Sequence, residues 1–113
     1  MEHLPEKYQF IDNEPIIRGA YGAIYLIRDR RVRTEFILKR IRKEFSSKEI
    51  YENEIDFLFN LKGPNIINIF DYFIDDKYYN LILEKMDGDL EQLLQTKYKK
   101  GMPSKIYSPV LSI

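Results

Sequence analysis

The chain has 113 residues, of which 44% are hydrophobic and 14% aromatic, and this is enough to build the core of one domain. Eighteen basic residues balance eighteen acidic ones, so we expect the chain as a whole to recruit neither nucleic acid nor an anionic membrane, although local charged patches stay open. The absence of cysteine and the single histidine, His3, exclude a disulfide framework and disfavour zinc chemistry and histidine catalysis.

The first part of the chain predicts three antiparallel strands. β-Branched and aromatic residues are enriched at 8–17, 24–27 and 36–41, and turn-forming or charged stretches separate them. Pro15 lies inside the first of these segments and cannot donate a hydrogen bond to a neighbouring strand. We therefore expect the first strand to lie at a sheet edge or to contain a bulge.

The second part predicts a helix, a hairpin and a short helix. Ser46-Ser47-Lys48-Glu49 offers a capping box and Gly63-Pro64 a stop, so the first helix should span about 47–62. Two strand-like runs then surround the acidic turn Asp75-Asp76, and a short helix follows at 89–97. The expected fold is α+β: a five-stranded antiparallel sheet with one packed helix.

Gly19-Ala20-Tyr21-Gly22 lies between two predicted strands. Glycines at such a turn let the backbone approach a phosphate closely and direct N–H groups at its oxygens. Short glycine motifs are common, however, and on these two glycines alone an ordinary hairpin turn is the favoured interpretation.

Lys39 lies in the strand-like run FILKRI. If Phe36, Leu38 and Arg40 share one face of the strand, Lys39 shares the other with apolar neighbours, and a buried lysine needs an anionic partner. The alternative is an ordinary lysine at a strand end whose ammonium reaches solvent.

Glu54 falls in the middle of an apolar stripe on the predicted helix, formed at helical spacing by Ile50, Phe57, Leu58 and Leu61. A carboxylate on the core face needs a cation, and Lys39 on the preceding strand is the economical candidate. The alternative is that Ile55 and Phe59 define the buried face and that Glu54 lies only at its edge.

Five segments, in the right order and spacing, resemble the protein kinase family. Residues 16–24, 36–39 and 53–55 resemble its glycine-rich loop, its third-strand lysine motif and its helix-C glutamate motif. Residues 61–67 resemble the connection from helix C to the fourth strand, and residues 81–90 resemble the fifth strand, the hinge and the start of helix D. The resemblance covers nearly the whole chain and implies the small lobe of a kinase.

The resemblance implies an ATP site. Lys39 would hold the α- and β-phosphates, Glu54 would orient Lys39 through an ion pair, and backbone N–H groups of the glycine motif would cover the phosphates. The nucleotide-binding residues that it implies are Ile16, Ile17, Arg18, Gly19, Ala20, Tyr21, Gly22, Ala23, Ile24, Ile37, Lys39, Leu83, Glu84, Met86 and Asp89.

The same resemblance assigns the adenine and ribose contacts to particular residues. Ile16 and Ile24 would form the roof of the adenine pocket, and Leu83 would be the gatekeeper. Glu84 and Met86 would offer backbone groups to the adenine edge. Asp89 would lie near the ribose. The compact hinge at 86–90 is similar to that of the cyclin-dependent and mitogen-activated kinases, which implies serine/threonine specificity.

Several departures from the family pattern limit the expected activity. Ile17 replaces the first glycine of the loop and Ile37 replaces a small alanine, and both should weaken ATP binding. The chain contains no His-Arg-Asp and no Asp-Phe-Gly motif, and the nearest match, at 56–58, lies inside the predicted helix. The chain therefore offers no catalytic residue and no magnesium ligand, magnesium could arrive only as its ATP complex, and we expect no phosphoryl transfer by this chain alone.

The expected organisation is an N-terminal tail at 1–7, the small lobe at 8–86, and the hinge exit, helix D and the truncated start of a large lobe at 87–113. Two functions stay open: a truncated kinase that retains its ATP-binding lobe, and a non-catalytic module whose protein partner covers the surface that would face the large lobe. A dinucleotide-binding unit is disfavoured, because the glycine motif precedes a strand and not a helix.

The compartment is predicted from what the sequence lacks. Its apolar runs are only a few residues long, and its N-terminal segment MEHLPEKYQF has no apolar signal region. We therefore expect an intracellular protein, cytoplasmic or nuclear.

Overall fold

The computed structural model describes residues 4–60 and 68–85, where one helix packs on an antiparallel sheet. The strands are β1 Tyr8–Phe10, β2 Ile17–Arg18, β3 Gly22–Asp29, β4 Glu35–Arg42, β5 Ile69–Ile74 and β6 Tyr78–Glu84, and the helix is α1 Lys48–Asn60. The strand order is β1-β3-β4-β6-β5, with β2 also paired to β3. The predicted α+β fold is confirmed, and no helix of the described part is long and apolar enough to span a membrane.

The predicted first strand is split into two short strands. β1 pairs with the last residues of β3 and β2 with its first residues, so both lie along the same edge of the sheet. Residues 11–16 between them, including Pro15, belong to no strand. The edge position agrees with the prediction, and the interruption raises the number of strands from the expected five to six.

β4 is the central strand, and its two faces contact different apolar clusters. Ile37 belongs to the cluster that α1 covers, together with Ile24, Leu81 and Leu83. Leu38 belongs to the cluster on the opposite face, which also contains Tyr8, Ile27 and Ile82. Because side chains alternate along a strand, Lys39 shares the helix-covered face with Ile37.

The helix begins one residue later than its capping box predicts. The Ser47 hydroxyl, and not that of Ser46, accepts a hydrogen bond from the Ile50 N–H at 3.1 Å. Ser46 lies before the helix, at the end of a short 3-10 turn, Lys43–Phe45. Its backbone N–H donates a hydrogen bond to the Lys43 carbonyl. The predicted end at residue 62 lies outside the described residues.

The buried face of α1 contains Tyr51, Glu54, Ile55 and Leu58. Glu54 is therefore in the buried stripe, as the first interpretation of the helix predicts. Of the two residues that the alternative places on the buried face, Ile55 is buried and Phe59 is 45% exposed.

The predicted hairpin at 66–83 is present in its described part. β5 and β6 pair in antiparallel register, and the Asp75 N–H donates to the Tyr78 carbonyl at 3.1 Å. The short helix predicted at 89–97 lies outside the described residues.

Candidate nucleotide site

The glycine motif forms a tight turn between β2 and β3. The Gly19 N–H donates to the Gly22 carbonyl at 3.0 Å, and Arg18 lies opposite Ala23 in the register of the two strands. Ala20 and Tyr21 occupy the exposed tip. The turn therefore presents its backbone at the end of the sheet, where the resemblance expects phosphates.

Gly22 has a packing reason to be glycine. A Cβ atom built on this residue would lie 1.9 Å from the Arg40 carbonyl oxygen on β4. The neighbouring Tyr21 carbonyl also accepts a hydrogen bond from the Arg42 N–H at 2.9 Å. The glycine thus lets the turn approach the central strand closely.

Lys39 and Glu54 meet between the sheet and the helix. The Lys39 ammonium donates a hydrogen bond to Glu54 Oε2, and the two side chains are 1% and 6% exposed. β4 places the lysine and α1 places the glutamate, so each of these two charged groups on apolar faces compensates the other.

Burial shifts the ionisation of both groups towards their neutral forms. Loss of water lowers the pKa of Lys39 below its usual value, while the charge and hydrogen bond of Glu54 oppose this. Burial likewise raises the pKa of Glu54, against the opposing effect of Lys39. Each group therefore depends on the other to stay charged.

A small cavity lies behind the ion pair, bounded by α1 and the ends of β4 and β6. Its volume is about 10 Å³, and Lys39, Glu54, Tyr51 and Tyr79 are among its lining residues. This is about the space of a single water molecule. The cavity behind the pair therefore cannot admit a phosphate.

The apolar side chains expected around adenine lie mostly on the helix-covered face. Ile24 lies opposite Ile17 in the strand register, and Ile17 packs on the cluster that includes Ile37 and Leu83. Ile16, in contrast, is 48% exposed. Ile17 therefore lies on the helix-covered face of the sheet, and the expected contact of Ile16 with adenine stays a prediction.

The residues that the resemblance assigns to the hinge are only partly described. Glu84 is half-buried, and its N–H donates to the Asn68 carbonyl at 2.8 Å. Met86 and Asp89 lie outside the described residues, so their expected contacts stay predictions. Among residues 4–60 and 68–85, no group of three or more histidine, cysteine, aspartate or glutamate side chains could hold a metal ion.

The sequence analysis missed a buried polar network on the other face of β4. Arg40, 1% exposed, donates through Nε to Asn80 Oδ1 at 2.8 Å and through Nη2 to Asp75 Oδ2 at 2.7 Å. Its guanidinium also lies 4.7 Å from the ring centre of Tyr78. Asp75 was assigned only to a turn, and nothing in the local pattern points to its contact with a residue 35 positions away.

Hydrogen bonds hold Asp75 in its ionised form. Burial alone would raise its pKa, but the Lys77 and Tyr78 amides and the Arg40 and Asn80 side chains together hold the pKa of Asp75 below its usual range. A carboxylate with a lowered folded pKa stabilises the fold above its unfolded pKa, and this contribution is lost as the pH falls through the folded pKa.

We expect Asp75→Asn to lower the free energy of unfolding by about 1–3 kcal/mol at neutral pH, because Arg40 loses its charged partner. The parent chain should also lose stability below about pH 4, and the variant should lose less over this range. Urea unfolding at several pH values measures both effects, with the exposed neighbour Asp76→Asn as the control. Parallel pH curves for parent and Asp75→Asn would contradict this role.

Comparison with known proteins shows which family the sequence of this chain matches. A family model described as the protein kinase domain matches residues 10–111. Calcium-dependent protein kinase 3 of Plasmodium yoelii yoelii is 27% identical over 104 residues, which cover 91% of this chain and 19% of that protein. Aurora kinase B of Mus musculus is 36% identical over 94 residues, which cover 75% of this chain and 27% of that protein. The chain thus spans less than a third of the length of these relatives.

A solved structure agrees with the fold. The crystal structure of Rad53 in complex with AMP-PNP matches 79% of this chain and 24% of its own chain, with a TM-score of 0.64 and 22% sequence identity. At this level of identity the likeness shows a shared fold.

Proposed function

Because this chain belongs to the protein kinase family, we propose that it is the nucleotide-binding small lobe of a serine/threonine kinase and binds ATP on the Lys39 side of its sheet. The observation that carries this proposal is the buried contact between Lys39 and Glu54. An ammonium held by a carboxylate in a dry setting is positioned to meet a phosphate. The finer assignment to the cyclin-dependent and mitogen-activated branch rests on residues 86–90 alone and stays a prediction, as does the cytoplasmic or nuclear compartment.

The described residues offer the chemical groups that an ATP site needs. Lys39 offers a cation and the turn at Gly19 and Gly22 offers backbone N–H groups, while Ile24 and Leu83 are apolar and suit adenine. Bound ATP would supply the phosphoryl group that kinases transfer. Magnesium would enter with the nucleotide, since the described residues offer no metal-binding cluster of their own.

Two features should keep the affinity for ATP low. The Lys39 side chain is already almost fully buried, so its surroundings must open before a triphosphate can reach it, and this costs binding free energy. Ile17 also stands where the family's loop has its first glycine. We propose that the 113-residue chain binds ATP weakly and does not transfer its phosphoryl group, since its sequence holds no His-Arg-Asp or Asp-Phe-Gly motif.

Titration of the purified chain with ATP and magnesium tests the assignment of Lys39. We expect weak binding that Lys39→Met reduces at least about tenfold, since a hydrogen bond to a charged group contributes about 1.5–3 kcal/mol. Lys48→Met, at an exposed position of α1, should leave the isotherm unchanged.

Lys39→Met could lose binding because the chain misfolds, since it leaves Glu54 buried without its partner. The double variant Lys39→Met/Glu54→Leu removes both buried charges together and so distinguishes misfolding from loss of a ligand contact. The double variant should fold and still fail to bind. Unchanged binding in Lys39→Met would contradict the role of Lys39, and a submicromolar dissociation constant for the parent would contradict weak binding.

A second candidate function is that of a non-catalytic binding module, and exposed large hydrophobic side chains favour it. Phe70, Tyr72 and Ile74 of β5, together with Phe59 of α1, are each more than 40% exposed. β5 ends the strand order of the sheet, and exposed apolar patches often mark protein interfaces. Sedimentation of the isolated chain tests this function, because an apolar interface left uncovered should promote self-association that Phe70→Ser reduces.

A further inference from the structure

The turn between β3 and β4 concentrates positive charge. Residues 28–34, RDRRVRT, contain four arginines and one aspartate, whereas the whole chain has a formal net charge of +0. Residues 30–35 are all exposed. We call residues 30–34 the basic tip. The chain is neutral as a whole but has a local cationic surface at this turn. The overall composition does not exclude such a local charged patch.

The only acidic residue within this stretch is occupied by the backbone. Asp29 Oδ1 accepts hydrogen bonds from the Arg31 N–H at 2.8 Å and the Val32 N–H at 3.3 Å. The Arg33 N–H donates to the Asp29 carbonyl at 2.9 Å, and the Asp29 N–H to the Thr34 carbonyl at 2.9 Å. The carboxylate thus shapes the turn, and the basic tip has a defined backbone on which its cations are displayed.

Two of the arginines are available to a partner. Within residues 4–60 and 68–85, neither the Arg31 nor the Arg33 side chain forms a hydrogen bond or an ion pair. Arg33 also has a φ of 59°, a conformation that glycine and asparagine adopt more readily than arginine. The position therefore carries a long cationic side chain where the backbone favours a small residue.

Val32 at the centre of the basic tip is 67% exposed, the highest value among the exposed large hydrophobic side chains of the described residues. An exposed apolar side chain that lies between two arginines in the sequence, Arg31 and Arg33, suits the boundary between lipid headgroups and acyl chains. There the cations can pair with phosphates while the apolar group leaves water.

We propose that the basic tip docks on an anionic lipid bilayer, with Val32 inserted at the headgroup boundary and Arg31 and Arg33 on lipid phosphates. A projecting turn fits a planar surface better than it fits an extended acidic peptide, which binds in grooves or along sheet edges. A single-stranded nucleic acid would be expected to stack on exposed aromatic side chains, and residues 28–34 contain none.

The proposed contact is far from the nucleotide side. β3 runs from Gly22 beside the glycine turn to Asp29 at the base of the basic tip, which is about 23 Å at the rise of an extended strand. A bilayer bound at the tip would therefore leave the glycine turn free, and the proposal stands independently of ATP binding.

Co-sedimentation of the full chain with vesicles tests the proposal. We expect binding to phosphatidylcholine vesicles that contain about one third phosphatidylserine, and little binding to pure phosphatidylcholine. Arg31→Gln/Arg33→Gln should lower partitioning about twenty-fivefold, since each cation near such a surface contributes about fivefold. The control Arg42→Gln/Lys48→Gln removes the same charge at exposed positions elsewhere and should change partitioning far less.

Insertion of Val32 is measured separately. Because the chain has no cysteine, Val32→Cys and Asp76→Cys each accept a single environment-sensitive fluorophore. Vesicles should shift the emission to the blue only for the label at position 32, because Asp76 lies in the β5–β6 turn at the other end of the sheet.

Each of three results would overturn the proposal. The first is that the parent chain does not bind phosphatidylserine vesicles at low salt, and the second is that both charge variants lose binding equally. The third is retention on polyglutamate or RNA without vesicle binding, which would assign the basic tip to another class of partner. Circular dichroism of each variant establishes that it is folded before the vesicle measurement.

Discussion

Replacing Glu54 with leucine should lower the free energy of unfolding by about 3–5 kcal/mol, because it leaves the Lys39 ammonium buried without its carboxylate. Small domains are stable by only about 5–15 kcal/mol, so this one change removes a large share of the stability. Urea unfolding followed by circular dichroism measures the effect. Glu52→Leu, on the exposed face of the same helix, is the matched control and should change stability by less than about 1 kcal/mol.

The double variant Lys39→Met/Glu54→Leu should recover most of the stability lost in Glu54→Leu. Replacing both partners of a buried ion pair by apolar residues removes two desolvated charges at once, and such replacements are often neutral or stabilising. If Glu54→Leu is as stable as the parent chain, or if the double variant is less stable than Glu54→Leu, the two residues do not compensate each other as the structure indicates.

Replacing Gly22 with alanine should destabilise the chain by about 3 kcal/mol or more, at the upper end of the range for overpacking. The added methyl group would meet the Arg40 carbonyl oxygen at 1.9 Å. That oxygen belongs to the backbone of the central strand and cannot rotate away, so the β2–β3 turn must move instead.

Hydrogen exchange locates this effect. In Gly22→Ala the amide of Gly19, which donates to the Gly22 carbonyl in the parent, should lose protection, while amides of β6 should change only with global stability. Ala20→Ser at the exposed tip of the same turn is the control. A Gly22→Ala chain that matches the parent in stability and exchange would show that the turn adjusts without cost.

The pairing of Lys39 with Glu54 could be anticipated because two local periodicities place the residues. Alternation along a strand assigns Lys39 to the face of Ile37, and helical spacing assigns Glu54 to the stripe of Leu58. Each pattern is local, and each charge on an apolar face requires an opposite charge. One contact then satisfies both requirements, and the structure contains it.

That Ile17, and not Ile16, packs against the helix-covered cluster could not be anticipated, since it depends on strand register. β2 pairs Ile17 with Ile24 across the turn, and a shift of one residue moves a side chain to the opposite face of the sheet. The motif spacing indicates that a turn exists between these residues, but not which isoleucine faces the helix. The split of the first strand around Pro15 was not predicted either, because the sequence indicated only an edge position or a bulge there.

The sequence by itself determined the α+β class, the order of the main elements and the two charged residues that belong together, because local periodicity and the cost of a buried charge act over a few residues. Only the tertiary structure decided the Arg40–Asp75–Asn80 network and the clash that requires glycine at position 22. These features join residues through strand register and turn geometry, and such distant relations leave no periodic signal in the chain.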